Sequence, residues 1–387
     1  MTTLFSETEE RLALRKAVSE LGKKYGRAYF EEAAKSGKKT DELWDEAGKL
    51  GYLGVAVPEE YGGGGGDIGD LAAVCEELAA AGCPLLMMVV SPAIVGTTIA
   101  QFGTDEQKKR WLPGFADGTT KMAFSITEPD AGSNSHKIIT TAYRDGDGWR
   151  IKGGKTYISG VDEATDVLVV ARTEDAKTGK LKPALFIVPT DAEGFSATVI
   201  DMGITSPEKQ FTLFFDDVRV PADALVGRED AGIEQLFAGL IPERIMAASF
   251  ATGTARLALE KATAYAKERN VWGQPIGAHQ AIAHPLAQSH IEIALARLMT
   301  QKAAALLAAG EFMEAGEAAN MAKYAAAEAA CDAVDRAVQT HGGNGLANEY
   351  GLAQMIAGSR LSRIAPVSRE MVLNFIAQFS LGLPKSY

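Results

Sequence analysis

Three short segments carry residue types that could hold a flat, polar ligand. Ile126-Thr-Glu-Pro-Asp-Ala-Gly-Ser-Asn134 leaves an apolar stretch and turns. Thr127 and Ser133 bring hydroxyls, and the Ala131-Gly132-Ser133 backbone brings N–H donors outside any strand ladder. Such a loop could hydrogen-bond an uncharged heterocycle. It also reads as an ordinary strand-ending turn, where Gly and Asp are usual. In Lys152-Gly-Gly-Lys-Thr-Tyr-Ile-Ser159, Tyr157 and Ser159 are two apart and would share one face of a strand. A ring beside a hydroxyl suits a planar cofactor, although plain outward surface is the simpler account. Gln339-Thr-His-Gly-Gly-Asn-Gly345 follows an Ala-rich stretch and reads as a helix C-cap, with glycine taking the left-handed conformation. Alternatively, its bare backbone lets a phosphate or dipeptide approach closely. It lacks the Gly-Lys-Ser/Thr ending of a Walker loop.

Other chemistry finds little support. The histidines at 136, 279, 284, 290 and 341 lack metal-ligand spacing, and no serine or cysteine nucleophile motif accompanies them. His341 reads as a surface residue of the helix cap. Cys75, Cys83 and Cys331 cannot make a disulfide framework or a four-ligand zinc site, so a reducing compartment, the cytoplasm, is expected.

These segments need rigid elements to place them. Over roughly 6–120 apolar residues recur at helical spacing, with Ser6 and Glu9 as a candidate capping box. Val57-Pro-Glu-Glu-Tyr-Gly-Gly-Gly-Gly-Gly66 cannot be helix and reads as a flexible loop. Over 121–230 the period changes to two. Short strands are expected near 122–127, 137–143, 149–152, 167–170, 184–188 and 211–215, with turns at 145–148 and 177–180. That pattern predicts a small antiparallel barrel or sandwich. From 231 to 387 Ala-rich helices are expected near 232–269, 278–309 and 312–341, packed antiparallel in a bundle.

Composition sets the outer limits. The 387 residues are 47% hydrophobic and 23% charged, as in an ordinary globular protein long enough for a large core. A net charge of −11 argues against nucleic acid or an anionic membrane as partner. The apolar run from Leu85 to Ile99 contains Pro92 and Gly96 and is too short to span a bilayer, and the acidic N-terminus resembles no targeting peptide.

In this order and spacing the segments resemble the acyl-CoA dehydrogenase family. Gly227-Arg-Glu-Asp-Ala-Gly232 and Arg269-Asn-Val-Trp-Gly-Gln274 with Gln280 add to the likeness, which covers nearly the whole chain. The resemblance implies an α+β multidomain fold: an N-terminal helical domain (1–120), a middle antiparallel β-barrel (121–230) and a C-terminal four-helix bundle (231–387). It implies an FAD enzyme that dehydrogenates an acyl-CoA and passes electrons to an electron-transfer flavoprotein, as a homodimer or homotetramer. By position, Phe124, Ile126, Thr127, Gly132 and Ser133 would meet the flavin, Ser133 also the substrate, with Tyr157 and Ser159 beside the ring. Arg269, Trp272, Gln280, Gln339 and Gly343 match positions that hold the pyrophosphate and adenosine, several from a neighbouring subunit.

One position departs from the family pattern. Many members carry the base that removes the α-proton as Glu near the C-terminus, where this chain has Arg363-Ile-Ala-Pro-Val-Ser-Arg-Glu-Met371 and therefore Pro366. Proline is no base and has no N–H to offer a thioester oxygen, which is left to the ribityl hydroxyl and the Val367 N–H. Isovaleryl-CoA and long-chain members carry the base instead in a Glu-Arg pair on the first bundle helix. Leu240-Ile-Pro-Glu-Arg-Ile-Met246 matches it, making Glu243 the expected base, Arg244 its companion and Pro242 a first-turn or kink residue. A solvated first-turn glutamate is the alternative for Glu243. Glu370 is a second candidate carboxylate and Ser368 a flavin contact, both at cofactor-facing positions. The acyl pocket is expected past Met87, Met88 and Ser91, and Ala365 suggests a roomy mouth for a branched or cyclic group. A flavin oxidase or monooxygenase on this fold, or a catalytically silent FAD- or acyl-CoA-binding subunit, are the competing readings.

Overall fold

The computed structural model describes residues 7–175, 178–229 and 232–386. Six helices come first: α1 (Glu9–Ser36), α2 (Asp41–Lys49), α3 (Ile68–Ala80), α4 (Leu86–Met88), α5 (Thr97–Phe102) and α6 (Asp105–Asp117). Ser6 lies outside the described residues; α1 is capped by Thr8, whose side chain accepts from Arg11 N. Capping boxes at Asp67/Asp70 and Thr104/Gln107 start α3 and α6. Between α4 and α5 the chain makes a π-helical stretch, Val89–Gly96, around Pro92, which interrupts the i→i−4 ladder.

The glycine run is not the loose loop expected. Glu59–Tyr61 forms a 3₁₀ turn, and Gly64, Gly65 and Gly66 donate to Gly54, Val57 and Val55 at 2.9–3.0 Å. A Cβ at Gly63 would lie 2.1 Å from the Val57 carbonyl oxygen, so the glycines permit close backbone stacking rather than motion.

Eight strands follow: β1 (Met122–Ser125), β2 (Thr141–Asp145), β3 (Gly148–Ser159), β4 (Asp166–Glu174), β5 (Leu181–Pro189), β6 (Phe195–Ile200), β7 (Gln210–Pro221) and β8 (Leu225–Val226). They form one sheet in the order β6-β7-β3-β2-β4-β5-β8, with β1 also on β4. The expected antiparallel barrel is therefore corrected to a mixed sheet that does not close. β1 runs parallel to β4 from Met122↔Asp166 to Ser125↔Val169, and β2 joins the same strand in parallel at Thr141↔Arg172. Alternation in sequence reports which face a side chain takes but not strand direction or closure.

The last part has three long helices, α7 (Gly232–Glu268), α8 (Gln280–Ala308) and α9 (Phe312–His341), with short α10 (Ala353–Leu361) and α11 (Arg369–Phe375) packed on α9. A small hairpin, β9 (Asn270–Val271) and β10 (Gln274–Pro275), links α7 to α8. Ala248, Ala251, Ala255, Ala258 and Ala262 of α7 share a buried core with Ala322, Ala326 and Ala330 of α9. Small side chains at this spacing bring the helices close, and enlarging one would cost about 1–3 kcal/mol. Gly253 does the same against α3, since a Cβ there would lie 2.4 Å from Glu76 O. Arg15 and Arg256 both bond the buried Glu76 and Glu77, tying α1 and α7 to α3.

Candidate active site

A buried ion pair pins the loop that leaves β1. Glu128 accepts from Lys155 Nζ at 2.8 Å, from Thr140 N at 2.9 Å and from Ile139 N at 2.6 Å. Lys155 is 0% exposed and also donates to the Ile126 carbonyl at 3.1 Å. Burial alone would raise the Glu128 carboxyl, but the bonds from Lys155, Thr140 and Ile139 outweigh it and hold the pKa below the ordinary value. Burial brings Lys155 down to about 8 against the pull of Glu128, so the pair is charged at neutral pH.

On this anchored loop Ile126 and Thr127 are half-buried while Gly132 and Ser133 are exposed, with open space where a Gly132 Cβ would stand. Of the three N–H donors expected to be free, that of Ala131 is already used, donating to Glu128 O at 3.0 Å. Phe124 packs at a junction, against the core that holds Met88, Ile241 and Ile245 and against the one that Ile126 joins.

Tyr157 and Ser159 do not sit on a regular strand. Three steps of β3, Lys155 to Ile158, span two of β7, Leu213 to Phe211, so an extra residue bulges out there. Tyr157 takes φ 58° and is 60% exposed, whereas the Ser159 hydroxyl is bonded to the Gln210 side chain. The one-face expectation is overturned by the bulge, because an inserted residue breaks the period of two.

Glu243 lies on α7 beside the buried Ile241 and Ile245. Pro242 is well inside the helix rather than in its first turn, which removes the solvated first-turn alternative. Glu243 is half-buried; burial pushes its carboxyl up to about 7, against the pull of the Arg244 and Lys323 charges. Among the described residues no hydrogen bond reaches that carboxyl. Arg244 folds back to donate to Leu240 O at 2.8 Å, and its Nε is buried without a partner. Gly239 lets this part of α7 approach the π-helical segment, since a Cβ would lie 2.9 Å from Ile94 and Thr98 side-chain atoms.

Met87, Met88 and Ser91 are all buried, but Ser91 Oγ accepts from Met122 N at 3.0 Å and so positions β1. Ser368 caps α11, accepting from Met371 N at 3.3 Å. Glu370 is exposed and paired with Arg369 at 3.1 Å; its own backbone N–H, and then Arg369, hold its pKa below the ordinary value. Near these two, Lys323 of α9 is buried and donates to the Val367 carbonyl.

The remaining expected residues cluster elsewhere. Arg269, Trp272, Gln280, Gln339 and Gly343 are all exposed, where α7 and α9 end and α8 begins. Arg269 is 26 residues beyond Glu243, about 39 Å along a helix rising 1.5 Å per residue. His341 is buried there rather than on the surface, stacked on Tyr265 with ring centroids 4.1 Å apart.

Two buried lysines escaped sequence reasoning. Lys323 had a signal, as a lone charge beside the buried stripe Ala319, Ala322 and Ala326. Lys155 had one too, since it continues the inward alternation of Trp149 and Ile151 along β3. Among the described residues no group of three or more His, Cys, Asp or Glu could hold a metal, and no helix is long and apolar enough to cross a membrane.

A half-buried carboxylate with a raised pKa on a helix, and a loop pinned to a sheet by a buried ion pair, belong to a class that sequence comparison identifies. Models of the acyl-CoA dehydrogenase N-terminal, middle and C-terminal domains match residues 8–119, 123–218 and 230–381. The chain belongs to the acyl-CoA dehydrogenase family and is an oxidoreductase. Acyl-CoA dehydrogenase FadE12 of Mycobacterium tuberculosis is 66% identical over 385 residues, covering 100% of this chain and 99% of that protein. A glutaryl-CoA dehydrogenase from Mycobacterium smegmatis in complex with FADH2 superposes with TM-score 0.88 at 26% identity, covering 98% and 96% of the two chains. A chain from the study of the electron transferring flavoprotein of Acidaminococcus fermentans gives TM-score 0.91 at 30% identity over 98% and 100%.

Proposed function

We propose that this enzyme oxidises an acyl-CoA thioester to the α,β-enoyl-CoA, with Glu243 as the base. The observation that carries this reading is the Glu243 carboxyl, half-buried, without a hydrogen bond among the described residues and raised to about 7. A base with a pKa near the operating pH is ionised enough to act and basic enough to accept a carbon acid's proton. Bound FAD would supply the acceptor for the hydride that leaves the β-carbon. Glu243 takes the α-proton, Arg244 and Lys323 favour its ionised form, and the buried Ile241 and Ile245 on either side limit the water around it.

The residues present suit that cofactor. Phe124, Ile126 and Thr127 give an apolar wall with one hydroxyl, and Gly132 and Ser133 give an open backbone for the uncharged ring and for the substrate. Tyr157, Ser159, Ser368 and Glu370 flank this region in our reading. Arg269, Trp272, Gln280, Gln339 and Gly343 would hold pyrophosphate and adenosine, through charge-assisted bonds in the case of Arg269. Their distance from Glu243 along α7 supports delivery by a second copy, hence a homodimer or homotetramer. Exposed Ile291, Leu295 and Leu298, on one stripe of α8, offer apolar surface for such contact. We place the protein in the cytoplasm, with an electron-transfer flavoprotein as acceptor. The relation of a structural neighbour to such a protein supports that partner.

The test is anaerobic titration of the yellow holoenzyme with acyl-CoAs of varied length and branching. Wild type should bleach and form enoyl-CoA, then reoxidise slowly in air. Glu243→Gln should keep its flavin and fail to bleach; unchanged bleaching by that variant removes Glu243 from the reaction. Rapid peroxide release would reassign the enzyme as an oxidase.

A further inference from the structure

Lys323 stands out because a buried cation usually has a carboxylate bonded to it, and this one has a carbonyl. It is 2% exposed on a stripe of α9 that otherwise carries Ala319, Ala322, Ala326 and Ala327. Its Nζ donates to the Val367 carbonyl, on the residue after Pro366. A neutral acceptor leaves the ammonium charge uncompensated, so it acts on whatever surrounds it.

We propose that Lys323 is a positioning residue of this active site: it holds the Val367 peptide through the Val367 carbonyl and presents its charge to Glu243 across the α7–α9 contact. The inference rests on Glu243 being the base. Fixing that peptide plane also fixes the Ser368 N–H at the start of α11, in the segment where proline has removed a backbone donor.

The charges around Lys323 come from three helices. Arg244 and Glu243 face it from α7, Glu328 from its own helix and Glu370 from α11. Glu328 is already engaged by Arg363 at 2.8 Å and Arg369 at 3.5 Å, and Glu370 by Arg369 at 3.1 Å. Glu243 is the member of the set without a hydrogen bond among the described residues. Burial lowers Lys323 to about 8 and raises Glu243 to about 7, so between those values each charged group favours the ionised form of the other. Arg244 opposes Lys323 while assisting Glu243, which makes the lysine the adjustable member.

The experiment compares holoenzymes carrying Lys323→Met, Lys323→Gln and Lys323→Arg by stopped-flow flavin reduction across the neutral pH range, under anaerobic conditions. Removing one positive charge should move the acid limb of the rate upward by about one pH unit, about tenfold slower at pH 6, in both Met and Gln variants. Arg should restore the limb to within a few tenths of a unit, and the fast plateau at high pH should fall only a few-fold. Gln keeps a donor for the Val367 carbonyl without the charge, so it separates anchoring from electrostatics. An unshifted limb in Gln with FAD bound overturns the proposal. Failure of all three variants to fold, Arg included, also overturns it, by making the residue a structural one. Glu243→Gln run in parallel separates the two claims. If it retains the wild-type limb, the base assignment fails; if it is inactive while the lysine variants show no shift, only the role of Lys323 fails.

Discussion

Two glutamates in this protein, one buried and one half-buried, each have a buried lysine for company, and their pKa values move in opposite directions. Glu128 is bonded directly to Lys155 at 2.8 Å and to two backbone N–H groups, and its pKa falls. Glu243 has Lys323 within electrostatic reach, but that lysine's hydrogen bond goes to Val367, and the Glu243 pKa rises to about 7. Burial penalises both carboxylates. What separates a fastener from a base is whether hydrogen bonds are supplied to the anion. The sheet supplies them, because the loop after β1 folds its own N–H groups onto Glu128. The helix cannot, because the N–H groups of α7 are taken up by its own ladder.

The largest expected effect falls on Glu243. Its replacement by Gln should slow flavin reduction about 10²–10⁴-fold at pH 8 with FAD content unchanged, the usual worth of a general base. Stopped-flow absorbance checks it, and a loss under tenfold would erase the contrast between the two glutamates. Next, Lys155→Met should destabilise the protein by about 3–5 kcal/mol, because Glu128 is left buried without its cation. Denaturant melts of the holoenzyme at neutral pH measure this. A cost below about 1 kcal/mol would mean the backbone donors alone suffice.

Glu243→Gln should also stabilise the fold at high pH. The folded pKa of about 7 lies above the unfolded value of about 4.3, so the group's stabilising contribution is fully present below about 4.3 and lost as pH rises through 7. The variant escapes that loss, and should exceed wild type by on the order of 2–4 kcal/mol at pH 8, with the gap closing toward pH 4. Paired melts at both pH values decide this, and a gap independent of pH would contradict it. The smallest effect is on wild-type rate. The initial rate at low substrate should rise about tenfold from pH 6 to pH 8, as a single carboxyl with a pKa near 7 ionises. A flat profile would show that Glu243 is ionised throughout.

Much of the architecture was legible because helix and strand leave different periods. The Ala-rich segments 232–269, 278–309 and 312–341 became helices 232–268, 280–308 and 312–341, since strong helix formers dominate them and the lone prolines Pro242 and Pro285 are carried inside. Strand direction was not legible: that β1 and β2 share β4 in parallel depends on residues more than 20 positions apart. The bulge at Tyr157 left no trace in a stretch of alternating residues, and it decides the exposure of Tyr157. The five glycines at 62–66 misled, because absence of a side chain serves close packing as well as freedom. At the site, residue type located Glu243 only through a likeness to relatives. Its raised pKa comes from the packing of α7 against the π-helical segment and α9, which no local pattern encodes.

Difference infrared titration of wild type against Glu243→Gln reads the carboxyl itself, through its protonated C=O band. A band that disappears with a midpoint near pH 7, in holoenzyme without substrate, is the expected result. A carboxyl already ionised at pH 5 would place Glu243 with the fasteners and leave the enzyme without its base.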